Sequence, residues 1–222
     1  MKAEASNVFR FYSRLTLAFA TGVTARNARD LLEGISTLED SVIYYHTYRF
    51  VQEHQFLIPE PPNDFSYWAT EFLQDDAMGE RLAAVDTVRF DSIKALRGAL
   101  QEVLRQGISG RDPGHTVPLG KEFAFLSCKR YSVATRFLAR NLSEFADCLK
   151  GVTLSSLYLH LFESRLRPPL GINDFSLWFR KELEDEDLAR FAADLDPYCH
   201  TLEDLRNRLI ARIQERISHA VS

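Results

Sequence analysis

The chain has no excess of positive charge, no cysteine pair at metal or redox spacing and no long apolar run. Its 27 Lys and Arg are outnumbered by 31 Asp and Glu, for a net charge of −4. Binding to nucleic acid needs a basic face that displaces counterions, so no nucleic-acid partner is expected. No stretch reaches the roughly 18 consecutive apolar residues of a membrane helix, so no membrane partner is expected either. Glu4, Arg10 and Arg14 interrupt any apolar region near the N-terminus, which argues against a signal peptide. Cys128, Cys148 and Cys199 are odd in number and lack a C-x-x-C pair, so they read as free thiols in a reducing cytoplasm. G-x-S-x-G, P-loop, H-E-x-x-H, zinc-ligand and glycine-rich dinucleotide patterns are all missing. No metal and no cofactor is therefore expected, and the chain leans away from being an enzyme. The run Glu184-Asp185-Glu186-Asp187 reads as a solvated helix face.

What is present is an aromatic core and a sequence that matches itself. Sixteen Phe, eight Tyr and two Trp supply large apolar side chains. Phe9–His46 aligns without a gap on Phe123–His160, and 11 of those 38 pairs are identical. Chance would give about two or three for ordinary composition. Both tryptophans lie in one doubled string, Asn63-Asp64-Phe65-Ser66-Tyr67-Trp68 and Asn173-Asp174-Phe175-Ser176-Leu177-Trp178. Residues 106–120 carry four Gly and two Pro, match neither copy and read as a connection. The expected organisation is repeat 1 over 1–107, a linker over 108–120 and repeat 2 over 121–222. The two repeats are expected to pack as a pseudo-twofold pair, by analogy with true dimers.

The expected fold class is all-α, with two homologous helical domains in tandem. Phe9-x-Phe11 reads as a short arm, and Ser13 as the N-cap of a helix ending at Gly22. Thr24 would cap a second helix carrying Leu31, Leu32 and Ile35. A third opens at Asp40 or Ser41 and runs to about Phe56, ended by Pro59-Glu60-Pro61-Pro62, with Pro168-Pro169 in the second copy. A fourth starts at the doubled string, and a last begins near Ser92 and recurs over Leu202–Ile217.

Three polar groupings are candidates for chemistry. In the doubled string, Asn63 caps a helix while Phe65 and Trp68, three apart, anchor it; alternatively Asp64 and Trp68 form a ligand wall. Arg26 and Asn27 recur as Arg140 and Asn141. A cation in a first helical turn opposes the dipole, so Arg26 calls for an acceptor: Asp64 within the protein, or an anionic ligand. Tyr44 and His46 recur as Tyr158 and His160, whereas Tyr45, Tyr48, Arg49, Glu53 and His54 occur in the first copy alone. His46 and His54 lie about 12 Å apart along a helix and cannot chelate one ion. The adjacent Cys199-His200 makes a poor dyad.

The stretch from Ala25-Arg26-Asn27 through Tyr44-Tyr45-His46-Thr47 to Asn63-Asp64-Phe65-x-x-Trp68 resembles an uncharacterised prokaryotic family, a domain of unknown function. That resemblance implies no activity, cofactor or catalytic residue. The sequence points to a non-enzymatic cytoplasmic binding or regulatory protein, with a polar ligand site built from Arg26, Asn27, Tyr45, His46, Arg49, Asp64 and Trp68. Two alternatives stand beside it. One is an enzyme on a small polar or anionic substrate with His46 as acid or base; the other is a scaffold for a protein partner. Oligomeric state is not fixed by the sequence.

Overall fold

The computed structural model describes residues 4–49, 62–109, 115–167 and 171–221. The end of the third helix near Phe56, Glu53 and His54, Pro59-Glu60-Pro61 and Pro168-Pro169 lie outside them.

The all-α expectation is overturned by two 17-residue strands, β1 (Phe9–Ala25) and β2 (Phe123–Ala139), which pair in a two-stranded sheet. Thr21 Oγ1 donates to the Phe125 carbonyl at 2.8 Å, and Thr135 Oγ1 to that of Phe11 at 2.7 Å. One index rises as the other falls, so the strands are antiparallel. The helix expected from Ser13 to Gly22 does not exist. Leu15, Leu17 and Phe19 alternate at period two, but all three are exposed, so the burial contrast that normally marks a strand is missing. Gly22 does take positive φ (+79°), inside the strand rather than after a helix.

The remaining elements are helical. α1 spans Ala28–Thr37, α2 Asp40–Tyr44 followed by a π-helical turn at Tyr45–Arg49, α3 Asp64–Glu71, α4 Asp76–Ala83 and α5 Ile93–Ile108. After β2 come α6 (Leu142–Gly151), α7 (Leu154–Leu161), a 3-10 turn (Glu163–Leu166), α8 (Asp174–Glu182), α9 (Glu186–Ala193) and α10 (Leu202–Val221). The expected caps at Asn63, Asn173 and Ser92 are present, each accepting a backbone N–H three residues on. α1 begins at Asn27 rather than Thr24, and Asn27 Oδ1 accepts from the N–H groups of Arg29 and Asp30 at 2.9 Å each.

The chain forms two compact units. Unit I is Thr16–Arg130; unit II is Met1–Leu15 together with Tyr131–Ser222. Both strands therefore divide between units. Unit I buries Phe123 and Phe125 of β2 with Leu31, Ile35, Phe65 and Trp68. Unit II buries Phe9 and Phe11 of β1 with Phe145, Phe175, Trp178 and Phe179. The aromatic rings in unit II meet mostly edge to face, with Phe9 4.8 Å from Phe11 and 5.2 Å from Phe145, the spacing favoured by ring quadrupoles.

The packing of β2 against α1 demands a glycine at position 34. A Cβ at Gly34 on α1 would collide with the Phe125 ring of β2, which is itself 1% exposed. Gly34→Ala is expected to cost about 1–3 kcal/mol through overpacking, although alanine is the better helix former. Urea denaturation of the full chain measures it; a gain in stability would show that the ring can move aside.

Candidate functional site

The doubled string is a device for holding a strand. In unit II, Asn173 caps α8 through its Oδ1 and donates its Nδ2 to the Ala192 carbonyl at 2.8 Å, tying α8 to α9. Phe175 enters the aromatic core. Trp178 reaches out of it to donate its indole N–H to the Asn7 carbonyl at 2.9 Å, two residues before β1. Unit I repeats this: Asn63 Nδ2 donates to Leu82 O at 3.1 Å, and Trp68 donates to the Lys121 carbonyl at 2.8 Å, two residues before β2.

The histidines complete the grip. His160 lies on α7, one turn after Ser156, so the two share a face. His160 Nε2 accepts the Tyr12 N–H at 2.9 Å, and the Ser156 hydroxyl donates to the Tyr12 carbonyl at 2.7 Å. Both main-chain groups of one edge-strand residue are thereby satisfied by side chains, where an open edge would expose them. His160 Nδ1 meets Asp174 Oδ2 at 2.6 Å. An amide N–H only donates and a carboxylate only accepts, so the ring is the neutral tautomer with its proton on Nδ1. In unit I, His46 stands in the π-helical turn, accepts the Leu126 N–H at 2.9 Å and meets Asp64 Oδ2 at 2.6 Å. The position matching Ser156 is Val42, so unit I has the histidine bond without the hydroxyl.

This arrangement decides what the histidines can do. Each ring is 2–3% exposed and both nitrogens are committed. Neither has a free lone pair for proton abstraction or metal ligation. Among the described residues, no three His, Cys, Asp or Glu side chains are grouped to hold a metal ion.

Unit II also contains a cavity of about 420 Å³ between the β1 segment and α7–α8. Phe9, Tyr12, His160 and Trp178 line it, together with the cations Arg10, Arg167 and Lys181 and the carboxylates Asp174 and Glu182. Arg167 donates to Asp174 Oδ2 at 2.6 Å. Glu182 takes the Asn7 main-chain N–H on one oxygen and the Asn7 amide on the other, at 2.9 and 3.0 Å.

Residues 6–214 match the model of a family described as a family of unknown function (DUF5752). The chain belongs to that family. Among solved structures it is similar to "The structure of OrfY from Thermoproteus tenax", with 28% identity, a TM-score of 0.82 and 96% of each chain covered. No curated protein matches the chain. Among the described residues, no helix is long and apolar enough to cross a membrane.

Of the seven residues singled out from sequence, the structure brings His46, Asp64 and Trp68 together around Phe123. His46 and Trp68 lie 4.7 and 5.8 Å from that ring by centroid. Tyr45 packs edge-on against His46 at 5.1 Å, and the Arg49 guanidinium lies 5.6 Å from the Tyr45 ring centre. Asn27 is a helix cap. Arg26 is exposed and precedes that cap, so it lies outside the first turn, where solvent weakens its opposition to the dipole. The bridge expected from Arg26 to Asp64, and from Arg140 to Asp174, is not formed: the aspartates hold the histidines, and Arg140 lies 3.8 Å from Glu144 instead.

Arg10, Tyr12, Arg167 and Lys181 were not foreseen from the sequence. For three of them the signal was available in the self-match, where Arg10 faces Ala124, Tyr12 faces Leu126 and Lys181 faces Glu71. What hid it was the strand: with residues 13–22 read as helix, nothing placed Arg10 beside α8.

The two buried cysteines, Cys128 and Cys148, are consistent with a packing role. Cys128 and Cys148 are buried and Cys199 is exposed. Burial, then the nearby Glu144 charge, pushes the Cys148 thiol above its ordinary range, which keeps it protonated and poorly nucleophilic.

Proposed function

We propose that this protein is a non-enzymatic ligand-binding or regulatory protein of the cytoplasm, whose ligand occupies the cavity of unit II. One observation carries the reading. Both histidines that resemble acid–base groups are consumed by holding strands, while a cavity with uncommitted polar side chains stands beside one of them. A volume of about 420 Å³ is within the range of small-molecule sites. None of the three cysteines is joined in a disulfide, which supports a reducing compartment. The self-match supports an origin by tandem duplication of repeats 1–107 and 121–222, with function diverging where the copies differ.

Thermal-shift screening of the full chain against a broad panel of polar metabolites tests this, followed by mass spectrometry of each stabilising compound. A ligand present at about 100 times its Kd adds about 2.7 kcal/mol, or roughly 5–10 °C for a chain of this size. The expected result is a stabilising compound recovered unchanged after prolonged incubation. Conversion of that compound would make the protein an enzyme. Silence across the whole panel would favour a scaffold for a protein partner.

A further inference from the structure

The carboxylates and cations of the unit II cavity are in different states. Asp174 already accepts from His160 and Arg167, and both oxygens of Glu182 are taken by Asn7. Arg10 and Lys181 are exposed and make no ion pair among the described residues. Arg167 spends one nitrogen on Asp174 and keeps the rest of its guanidinium fork. Three cations from three different segments thus border one cavity in which both oxygens of Glu182 are taken and Asp174 already holds two donors on Oδ2. In the self-match, Arg10 and Lys181 stand opposite Ala124 and Glu71, so neither is a requirement shared by both halves.

The position of Arg10 adds a second element. The β1 segment is fastened to the helices at Asn7, through Trp178 and Glu182, and at Tyr12, through His160 and Ser156. Arg10 lies between these anchors. In an extended strand, alternate residues present their N–H and C=O to the same edge. The main chain of Arg10 therefore faces the edge at which the Tyr12 N–H meets His160. An anion in the cavity would meet a backbone donor as well as the guanidinium and ammonium groups, a combination suited to an oxyanion.

We propose that the unit II cavity is an oxyanion site read by Arg10, Arg167 and Lys181, and that its occupant locks the β1 segment onto α8. This rests on the ligand-binding reading above and adds the chemical class of the ligand and its effect on the strand. A phosphoryl group and a carboxylate share the chemistry that these side chains recognise.

The test titrates the full chain with inorganic phosphate and, separately, with citrate, at constant ionic strength set by chloride. Melting temperature is followed alongside hydrogen exchange of the Tyr12 amide. The expected result is a rise in Tm with at least one of the two anions and slower Tyr12 exchange in its presence. Whichever anion acts at lower concentration identifies the source. Lys181→Glu and Arg10→Ala are expected to weaken that response at least tenfold. Both side chains are exposed, so loss of folding does not obscure the result. An anion response unchanged in the double variant, or a Tm rise without slower Tyr12 exchange, overturns the proposal. A neutral or cationic metabolite that binds while both anions fail also overturns it, yet leaves the ligand-binding reading standing.

Discussion

His160→Ala is expected to destabilise unit II by about 3–5 kcal/mol. The ring is 3% exposed and packs among Phe9, Phe11 and Phe175, with centroids 5.1, 5.8 and 5.6 Å away, so its removal opens a cavity. It also leaves the Tyr12 N–H without its acceptor and takes a hydrogen bond from Asp174, each costing about 1–3 kcal/mol when buried. These terms overlap, because water entering the gap can satisfy part of what is lost, so the total stays below their sum. The discriminating readout is residue-specific. Hydrogen exchange at Tyr12 should accelerate before global unfolding, whereas exchange at Leu126, held by His46 in unit I, should change far less. Equal acceleration at both amides would show that the histidine does not act as a local fastener. Asp174→Asn keeps an acceptor for the ring N–H and is expected to cost much less.

Trp178→Ala is expected to be comparably damaging, at about 3–5 kcal/mol, and its companion Trp178→Phe separates the two roles of the side chain. The indole is 6% exposed, stacks on Phe145 at 5.2 Å and donates to the Asn7 carbonyl. Phenylalanine keeps most of the ring but loses the donor, so it should cost about 1–2 kcal/mol. Urea denaturation gives both values, and proteolysis within residues 4–12 reports whether the strand is released first. If Trp178→Phe proves as harmful as Trp178→Ala, the bond to Asn7 outweighs the packing. If both are neutral, Asn7 is held by Glu182 alone.

The two substitutions act on one structural idea that was only half legible in the sequence. The doubled Asn-Asp-Phe-Ser-x-Trp string did identify a helix cap and a core anchor, because capping and three-residue spacing are local properties of a helix. Its other two functions were invisible. Asp174 and Trp178 act on groups 14 and 171 positions away, and no periodicity encodes a bond to a distant carbonyl. The same limit explains the false helix over residues 13–22. A strand whose partner begins more than a hundred residues later gains its hydrogen bonds from outside any local window. Its exposed Leu15, Leu17 and Phe19 remove the pattern that would have betrayed it.

The candidate site followed the same division. The self-match separates residues common to both halves from residues that one half has alone. It was applied to Tyr45, Arg49 and the helix that carries them, where the difference between copies is longest. The cations of the unit II cavity are isolated residues scattered over positions 10, 167 and 181, and their proximity exists only once the strand lies along α7 and α8.

By itself, then, the sequence determined the helix caps at Asn63, Asn173 and Ser92, the aromatic core residues, the internal correspondence and the paired histidines, all set by local propensity or by comparison along the chain. Only the tertiary structure decided that residues 9–25 and 123–139 are strands, that the histidines are fasteners with both nitrogens used, and that Arg10 and Lys181 border one cavity. The reason is that each of these depends on contacts between residues far apart in the chain, whose energies appear only after the backbone has closed the distance.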